Sequence, residues 1–384
     1  APAHRGRGCF TGFCRYGYSP GSQPGTFYLP GLSCRFPGLA ECIGSGGLQR
    51  RLTLFAGKAY AIFALLFGFT FYIQSDNLKR RGGDFGYRFL WRLVLLAGFA
   101  TLNAAFFPAG DVLLLFVIAG LVLFFTRNWG DGAILAAAVV FLLQPVEWYH
   151  CIAGLLNPAH RLPDLGVGEM YARVAEYTKA GNFGDFILGN VTLGQKASLL
   201  WAVNAGRFVQ TAGLFLLGFY IGRKQLFVAT EKNLRFWVKT LIVSAIAFAP
   251  LYTLRELVMD NGAVVGQTAG TALDMWQKLA FTLVLVASFI LLYQRRKFSA
   301  AVAGLRFYGR MSLTNYLSQS VIGAFVYSRS ASTLPLGADI RPACWSGFWC
   351  SCCRCGSANG GWGAQTGVRW NSIWHKWTWI GTDK

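Results

Sequence analysis

The chain has 384 residues, of which 54% are hydrophobic, 16% aromatic and only 14% charged, and its formal net charge is +20. Because a soluble domain carries roughly 25% charged residues, this composition excludes an ordinary soluble protein and indicates a membrane protein. The positive charge does not indicate a nucleic-acid partner, since the basic residues lie in short runs between long apolar segments.

Between residues 52 and 327 the apolar segments are long enough to cross a bilayer, which takes about 20 apolar residues per helix. The sequence therefore predicts an all-α fold, a polytopic bundle of about eight intact transmembrane helices. Their predicted bounds are Phe55–Ile73, Tyr87–Phe107, Asp111–Thr126, Gly132–Ile152, Ser198–Ile221, Phe236–Leu254, Trp276–Tyr293 and Met311–Tyr327.

Basic residues mark one side of this bundle. They occur at Lys79–Arg81 after the first span, at Arg223 and Lys224 after the fifth, and at Arg295–Lys297 before the last. If these loops are cytoplasmic, the positive-inside rule gives one alternating topology. That topology places the loop at about 153–197 outside the membrane, where residues 168–187 predict a short amphipathic helix.

Residues 1–51 and 328–371 differ from the rest, because they are rich in Gly and hold nine of the ten cysteines. One interpretation is disordered tails with a small disulfide knot. The other is a pair of frameshifts, because the Cys and Trp codons TGY and TGG, read one base earlier, become NTG for Leu, Met or Val. The stretch FWCSCCRCG is then a Leu-rich helix in the wrong frame.

Shifted readings support the frameshift interpretation at both ends. From Ala343 the genetic code permits LLVGILVFLLQ, which reads as a membrane span. Over Cys9–Ala40 the opposite shift permits AALRGFAVMAIVLVHNLEHF, an apolar helix that begins with Arg and contains a His. The two segments would therefore replace the first and last transmembrane helices, and residues 372–384 would be a cytoplasmic tail in the printed frame.

Four stretches carry a family resemblance. They are AIFALLFGFTFYIQ at Ala61–Gln74, GDVLLLFVIAG at Gly110–Gly120, GRFVQTAGLFLLGFYIGRKQLF at Gly206–Phe227 and GRMSLTNYLSQS at Gly309–Ser320. In this order they resemble the YeiB-like bacterial membrane proteins, catalogued as domain of unknown function 418. The resemblance covers residues 52–327 directly. It implies a multi-pass protein of the bacterial inner membrane, with about ten spans in an unshifted member and both termini cytoplasmic.

The family is similar in outline to membrane acyltransferases that carry acyl groups from acyl-CoA to an extracytoplasmic sugar or alcohol. The resemblance therefore implies an O-acyltransferase, with acyl-CoA as co-substrate, a small-molecule or glycan acceptor, and no bound cofactor or metal. In those enzymes a His in the first helix acts as base on the acceptor hydroxyl. That His is missing from the printed chain, so the catalytic residues are unknown. The alternatives are a small-molecule transporter or exporter, and an inactive product of a frameshifted gene.

Polar residues within apolar spans are candidate functional residues, because they are costly in lipid. Asn204, Arg207 and Gln210 are spaced three apart, which predicts an anion or carbonyl site on one side of a helix. The structural alternative is an ion pair between Arg207 and an acid such as Asp111 or Glu147.

Other polar candidates lie at span ends. Asp111 begins a predicted helix, where a carboxylate also complements the helix dipole. His150 follows Glu147 near the outer end of a span, and either group is a candidate proton carrier, although a His at this depth is also explained by contact with water. The last candidates, Asn315, Tyr316 and Gln319 on the final intact helix, are equally explained by interhelical hydrogen bonds.

Overall fold

A computed structural model describes residues 58–83, 85–106, 113–157, 159–180, 183–259 and 264–302. Over these residues the chain is helical and contains no strand, which confirms the predicted all-α class for this part. The helices are α1 Lys58–Lys79, α2 Phe85–Phe106, α3 Leu113–Thr126, α4 Asp131–Leu142, α5 Pro145–Leu156, α6 Val167–Ala180, α7 Phe183–Gly189, α8 Gln195–Asn204, α9 Arg207–Arg223, α10 Glu231–Met259, α11 Val264–Tyr293 and α12 Arg296–Ala301. A π-turn, Asn190–Gly194, joins α7 to α8.

Three of the described helices are long and apolar enough to cross a membrane, namely α2, α10 and α11. Helices α4 and α5 count as a fourth if they form one span, which bends by 45° at its break. The predicted number of about eight spans is not confirmed. Helix α9 has only 17 residues, so at 1.5 Å per residue it is about 26 Å long, shorter than the ~30 Å apolar layer. The predicted span Met311–Tyr327 lies outside the described residues.

Helix α9 is the centre of the described bundle. Its buried face packs into the larger hydrophobic cluster, to which α1, α2, α3 and α4 also contribute. Aromatic rings fill much of this cluster: the ring centroids of Phe67 and Phe215 are 4.6 Å apart, and those of Phe71 and Phe89 are 4.5 Å apart. A smaller cluster around Trp237 joins α9 and α1 to α10 and α11.

The backbones of α1 and α9 touch at two glycines. A Cβ atom at Gly68 would lie 1.9 Å from the carbonyl oxygen of Phe215, and one at Gly218 would lie 2.0 Å from that of Leu65. Membrane helices associate through such small residues, because no hydrophobic effect drives them together in lipid. The two glycines therefore set the distance between α1 and the central helix.

Basic residues gather at one end of the bundle. Arg223 donates a hydrogen bond from Nη1 to the carbonyl oxygen of Trp129 at 2.6 Å, and its Nε lies 2.9 Å from Oδ1 of Asp131. Lys224 Nζ lies 2.7 Å from Oδ2 of the same Asp131. The end of α9 and the α3–α4 loop thus share one side, as the alternating topology requires.

The predicted loop at about 153–197 is largely helical. Helix α6 and helix α7 together replace the single amphipathic helix predicted at 168–187. The π-turn after them is held against the end of α2, where Asn190 Nδ2 donates a hydrogen bond to the carbonyl oxygen of Ala105 at 2.9 Å. This segment therefore packs against the end of the bundle opposite to the basic end.

Candidate functional site

Two helix breaks face each other inside the bundle. Between α4 and α5, Gln144 has a left-handed φ of 59°, and Pro145 begins α5. Between α8 and α9, Gly206 has a φ of 63°, which glycine adopts without steric cost. A Cβ atom at Gly206 would lie 3.3 Å from Oε1 of Gln144 and 3.2 Å from Oε1 of Glu147. The N-terminal ends of α5 and α9, which carry positive partial charge, therefore meet.

This break corrects the prediction that Asn204, Arg207 and Gln210 lie on one side of a continuous helix. Asn204 is the last residue of α8 and is exposed, whereas Arg207 is the first residue of α9. Gln210 is buried, and its Nε2 donates a hydrogen bond to the carbonyl oxygen of Met275 at 3.1 Å. Only Arg207 and Gln210 therefore share a helix, because the left-handed Gly206 redirects the chain.

Arg207 lies among aromatic rings. Its guanidinium carbon is 4.5 Å from the ring centroid of Trp201 and 5.4 Å from that of Tyr60, distances at which a cation is attracted to a ring face. The Tyr60 hydroxyl is hydrogen-bonded to Thr211 one turn further along α9. The alternative ion pair between Arg207 and Glu147 does not form in the described part of the chain.

Three cations surround the carboxylate of Asp274, namely Arg207, Arg255 and Lys278. We call these four residues the cation cluster. Asp274 pairs with Lys278 on α11, and its Oδ1 lies 3.1 Å from Nε of Arg255 on α10. Arg207 and Arg255 both interact electrostatically with Lys278. The cluster remains net positive, because its three cations face only two carboxylates in the described ranges, Asp274 and the Glu256 that also pairs with Arg255.

The cation cluster lies deep in the helix bundle. Lys278 is the fifteenth of the 30 residues of α11, so it stands halfway along a helix that is long enough to span the membrane. The side chains of Asp274, Lys278 and Arg255 are 17%, 19% and 23% exposed. A net positive charge at this depth favours binding of an anion, since buried charge is costly without a partner.

Helix α11 is tied to both helix breaks by the residues between Asp274 and Lys278. Trp276 donates its indole N–H to the carbonyl oxygen of Leu142 at the end of α4, over 2.9 Å. Met275 accepts the hydrogen bond from Gln210 on α9. These two contacts fix the position of the cation cluster relative to the breaks.

Two buried polar side chains at the breaks have no partner among the described residues. Gln144 is fully buried, and neither atom of its amide group makes a hydrogen bond. Glu147 is 8% exposed and forms no ion pair within the described ranges. Buried polar groups are nearly always paired, so this combination is typical of a place that binds water, a proton or a ligand.

The two histidines of the outer segment are adjacent. His150 Nδ1 lies 3.2 Å from His160 Nε2, and the two rings stack with their centroids 5.5 Å apart. The sequence predicted His150 alone as a candidate, since ten residues separate it from His160. The turn after α5 brings them together, one helical turn beyond Glu147.

Sequence reasoning missed Tyr60, Arg255, Asp274 and Lys278. The signal for two of them is the i, i+4 spacing of Asp274 and Lys278, which is typical of an ion pair on one helix face. The predicted seventh span began only at Trp276, so it left Asp274 outside. Four predicted site residues lie outside the described part of the chain: Asp111, Asn315, Tyr316 and Gln319. In the described ranges, no three His, Cys, Asp or Glu side chains converge as metal ligands.

Comparison with known proteins gives two matches. The profile of a family described as "Protein of unknown function (DUF418)" matches residues 221–353. The chain is also 21% identical over 296 residues to "Uncharacterized protein YxaH" of Bacillus subtilis (strain 168), covering 70% of this chain and 66% of that protein. The chain thus spans just under two thirds of the length of this curated relative. No solved structure matches the chain.

Proposed function

We propose that the chain is a membrane protein that binds an anionic small molecule at the cation cluster and carries it across the bilayer. The DUF418 profile match over residues 221–353 and the helices long enough to cross a membrane support this proposal. The same match supports the predicted DUF418 family. We further propose that this membrane is the bacterial inner membrane, with the basic end of the bundle in the cytoplasm.

The observation that carries this proposal is the meeting of two helix N-termini beside three cations halfway along α11. In secondary transporters, substrate sites lie near the middle of the bilayer, and the N-termini of broken helices point at anionic groups. Here α5 and α9 supply the two N-termini, and Arg207 begins α9. A carboxylate or phosphate would receive both helix dipoles and the uncompensated positive charge.

The proposal is tested in proteoliposomes by recording the charge that moves when a panel of small carboxylates and organic phosphates is added. Arg207→Gln and Lys278→Gln should each reduce the initial rate at least tenfold. The matched control is Arg80→Gln, because the Arg80 side chain is 71% exposed and its charge lies far from the cluster in sequence. Equal rates for the wild type and both cluster variants would overturn the proposal.

A second candidate function is acyl transfer, which the His150–His160 pair and the family resemblance favour. An acceptor hydroxyl would give its proton to an imidazole and attack the thioester carbonyl of acyl-CoA, and coenzyme A would leave as the thiol. The family-type helix-one His is missing from the printed chain, so we propose the His150–His160 pair as the base. Binding of radiolabelled acetyl-CoA, with transfer reduced in His150→Ala, supports this candidate, and no binding excludes it.

We also retain the proposal that residues 1–51 and 328–371 arise from compensated frameshifts, which would leave this particular chain inactive. Both segments lie outside the described residues. The family match runs on to residue 353, so it includes part of the second segment. Resequencing of the coding DNA tests this: an uninterrupted frame with the printed codons would refute it.

A further inference from the structure

A row of titratable groups leads from the outer segment to the helix breaks. His160 follows the end of α5, and its Nε2 is 3.2 Å from Nδ1 of His150. Glu147 lies three residues before His150 on α5, so the two side chains are neighbours on one helix face. Glu147 in turn reaches the second break, where its Oε1 would be 3.2 Å from a Cβ atom at Gly206.

Within the described ranges, the inner end of this row has no ionic or hydrogen-bonding partner. Glu147 is buried and forms no ion pair in the described ranges, and the amide of fully buried Gln144 is unpaired beside it. A carboxylate that is removed from water without a counter-ion is costly, whereas a protonated carboxyl group is not. A proton is therefore the simplest ligand for this position.

We propose that His160, His150 and Glu147 form a proton path from the extracytoplasmic side, and that Glu147 is its internal proton-binding site. An imidazole accepts a proton at one ring nitrogen and releases one at the other, so each His can pass a proton inward. The net change is one proton taken from the outer solution and one neutral carboxyl group formed. No covalent bond between heavy atoms changes.

Among the described residues, few charged groups lie on the elements packed against α5. Helix α9 offers Arg207 at its start, and α11 offers Asp274 and Lys278, while His150 lies on α5 itself. Protonation of Glu147 removes one negative charge at the second break, beside Gly206 and thus one residue before Arg207. It therefore makes the surroundings of the cluster more positive, whatever molecule binds there.

The test reads the protonated carboxyl group directly, by infrared difference spectroscopy of the purified protein between mildly alkaline and mildly acidic pH, with no substrate present. The carbonyl band of a buried carboxyl group should appear on acidification in the wild type. Glu147→Gln should abolish it, and Glu147→Asp should shift it. Glu231→Gln is the matched control and should leave it unchanged, since the Glu231 side chain is 80% exposed.

The histidines are tested by exchange of the same band on transfer from H₂O to D₂O. His150→Phe and His160→Phe should each slow the shift of the band at least tenfold. Tyr149→Phe, an exposed neighbour of His150, should exchange like the wild type. A band that survives in Glu147→Gln overturns the proton site, and unchanged exchange in both His variants overturns the path. Because no substrate is used, either failure is separate from failure of the transport proposal.

Discussion

Trp276 and Leu142 join a long membrane helix to the end of a broken one. The Trp276 indole N–H donates to the Leu142 carbonyl oxygen over 2.9 Å, across 134 positions of the sequence. That carbonyl stands at the last residue of α4, where the break leaves it without the partner that a continuing helix would provide. The hydrogen bond therefore lets α4 end inside the bundle without an orphaned acceptor.

We predict that Trp276→Phe destabilises the protein by about 1–3 kcal/mol, because it leaves that buried carbonyl group unsatisfied. Thermal unfolding in detergent, followed by circular dichroism, measures the loss. Trp129→Phe is the control: the Trp129 side chain is 46% exposed, so its unfolding temperature should stay near that of the wild type. Equal stability of the two variants would contradict the role given to Trp276.

How far the sequence predicts this fold is clear from α2. Its predicted bounds, Tyr87–Phe107, agree closely with the observed Phe85–Phe106, because glycines precede the apolar run and a proline follows it. The helix breaks were not predicted. Gly206 stands in an apolar segment where glycine is common in membrane helices, and its left-handed conformation depends on tertiary contacts that no local pattern contains.

The cation cluster is a second feature that the sequence alone did not predict. A hydropathy window scores Asp274 as an interruption, so the predicted span began at Trp276, whereas α11 begins twelve residues earlier at Val264. Asp274 is tolerated inside the helix because Lys278 and Arg255 pair with it. Arg255 lies on another helix, so the sequence spacing indicates only the pairing of Asp274 with Lys278.

We predict that Gly218→Ala destabilises the bundle by about 1–3 kcal/mol or more, since the added methyl group would overlap the Leu65 carbonyl oxygen. Gly68→Ala should act similarly through the Phe215 carbonyl. In Gly98→Ala the new Cβ meets no atom within 4 Å, so this control should be neutral or slightly stabilising, by up to about 1 kcal/mol. The free energy of unfolding in mixed micelles distinguishes the three, and a neutral Gly218→Ala would contradict the close backbone contact.

The ion pair of Lys224 and Asp131 makes the stability of the folded protein depend on pH in the alkaline range. The side-chain hydrogen bond to Asp131 raises the pKa of Lys224 above its ordinary value. This stabilisation is complete below the pKa of an unfolded lysine, about 10.4, and is lost as the pH rises through the higher folded-state pKa. The difference in unfolding temperature between the wild type and Asp131→Asn should therefore shrink at strongly alkaline pH.

That difference should not vanish, because Arg223 also pairs with Asp131 and stays charged. Lys224→Arg is the matched variant. An arginine keeps its charge at alkaline pH, so this variant should lose less stability there than the wild type. An identical alkaline decline in both proteins would mean that Lys224 does not cause it.

Asp274→Asn should be the most damaging single change in the cation cluster. Among the described residues, the substitution leaves the largely buried Lys278 without a carboxylate partner, while Arg255 keeps only its pair with the exposed Glu256. Breaking one side of a buried ion pair costs about 3–5 kcal/mol, and the partial exposure of these side chains places the expected loss at about 3 kcal/mol.

Two comparisons separate the effect of charge from a general loss of packing. Asp76→Asn breaks the pair with the exposed Arg80 and should cost less than about 1 kcal/mol. The double variant Asp274→Asn with Lys278→Gln also removes the positive charge of Lys278, which Asp274 neutralises in the wild type. It should therefore recover part of the lost stability. If the double variant is less stable than Asp274→Asn alone, then Asp274 stabilises the bundle through its packing or hydrogen bonds rather than by neutralising the cations around it.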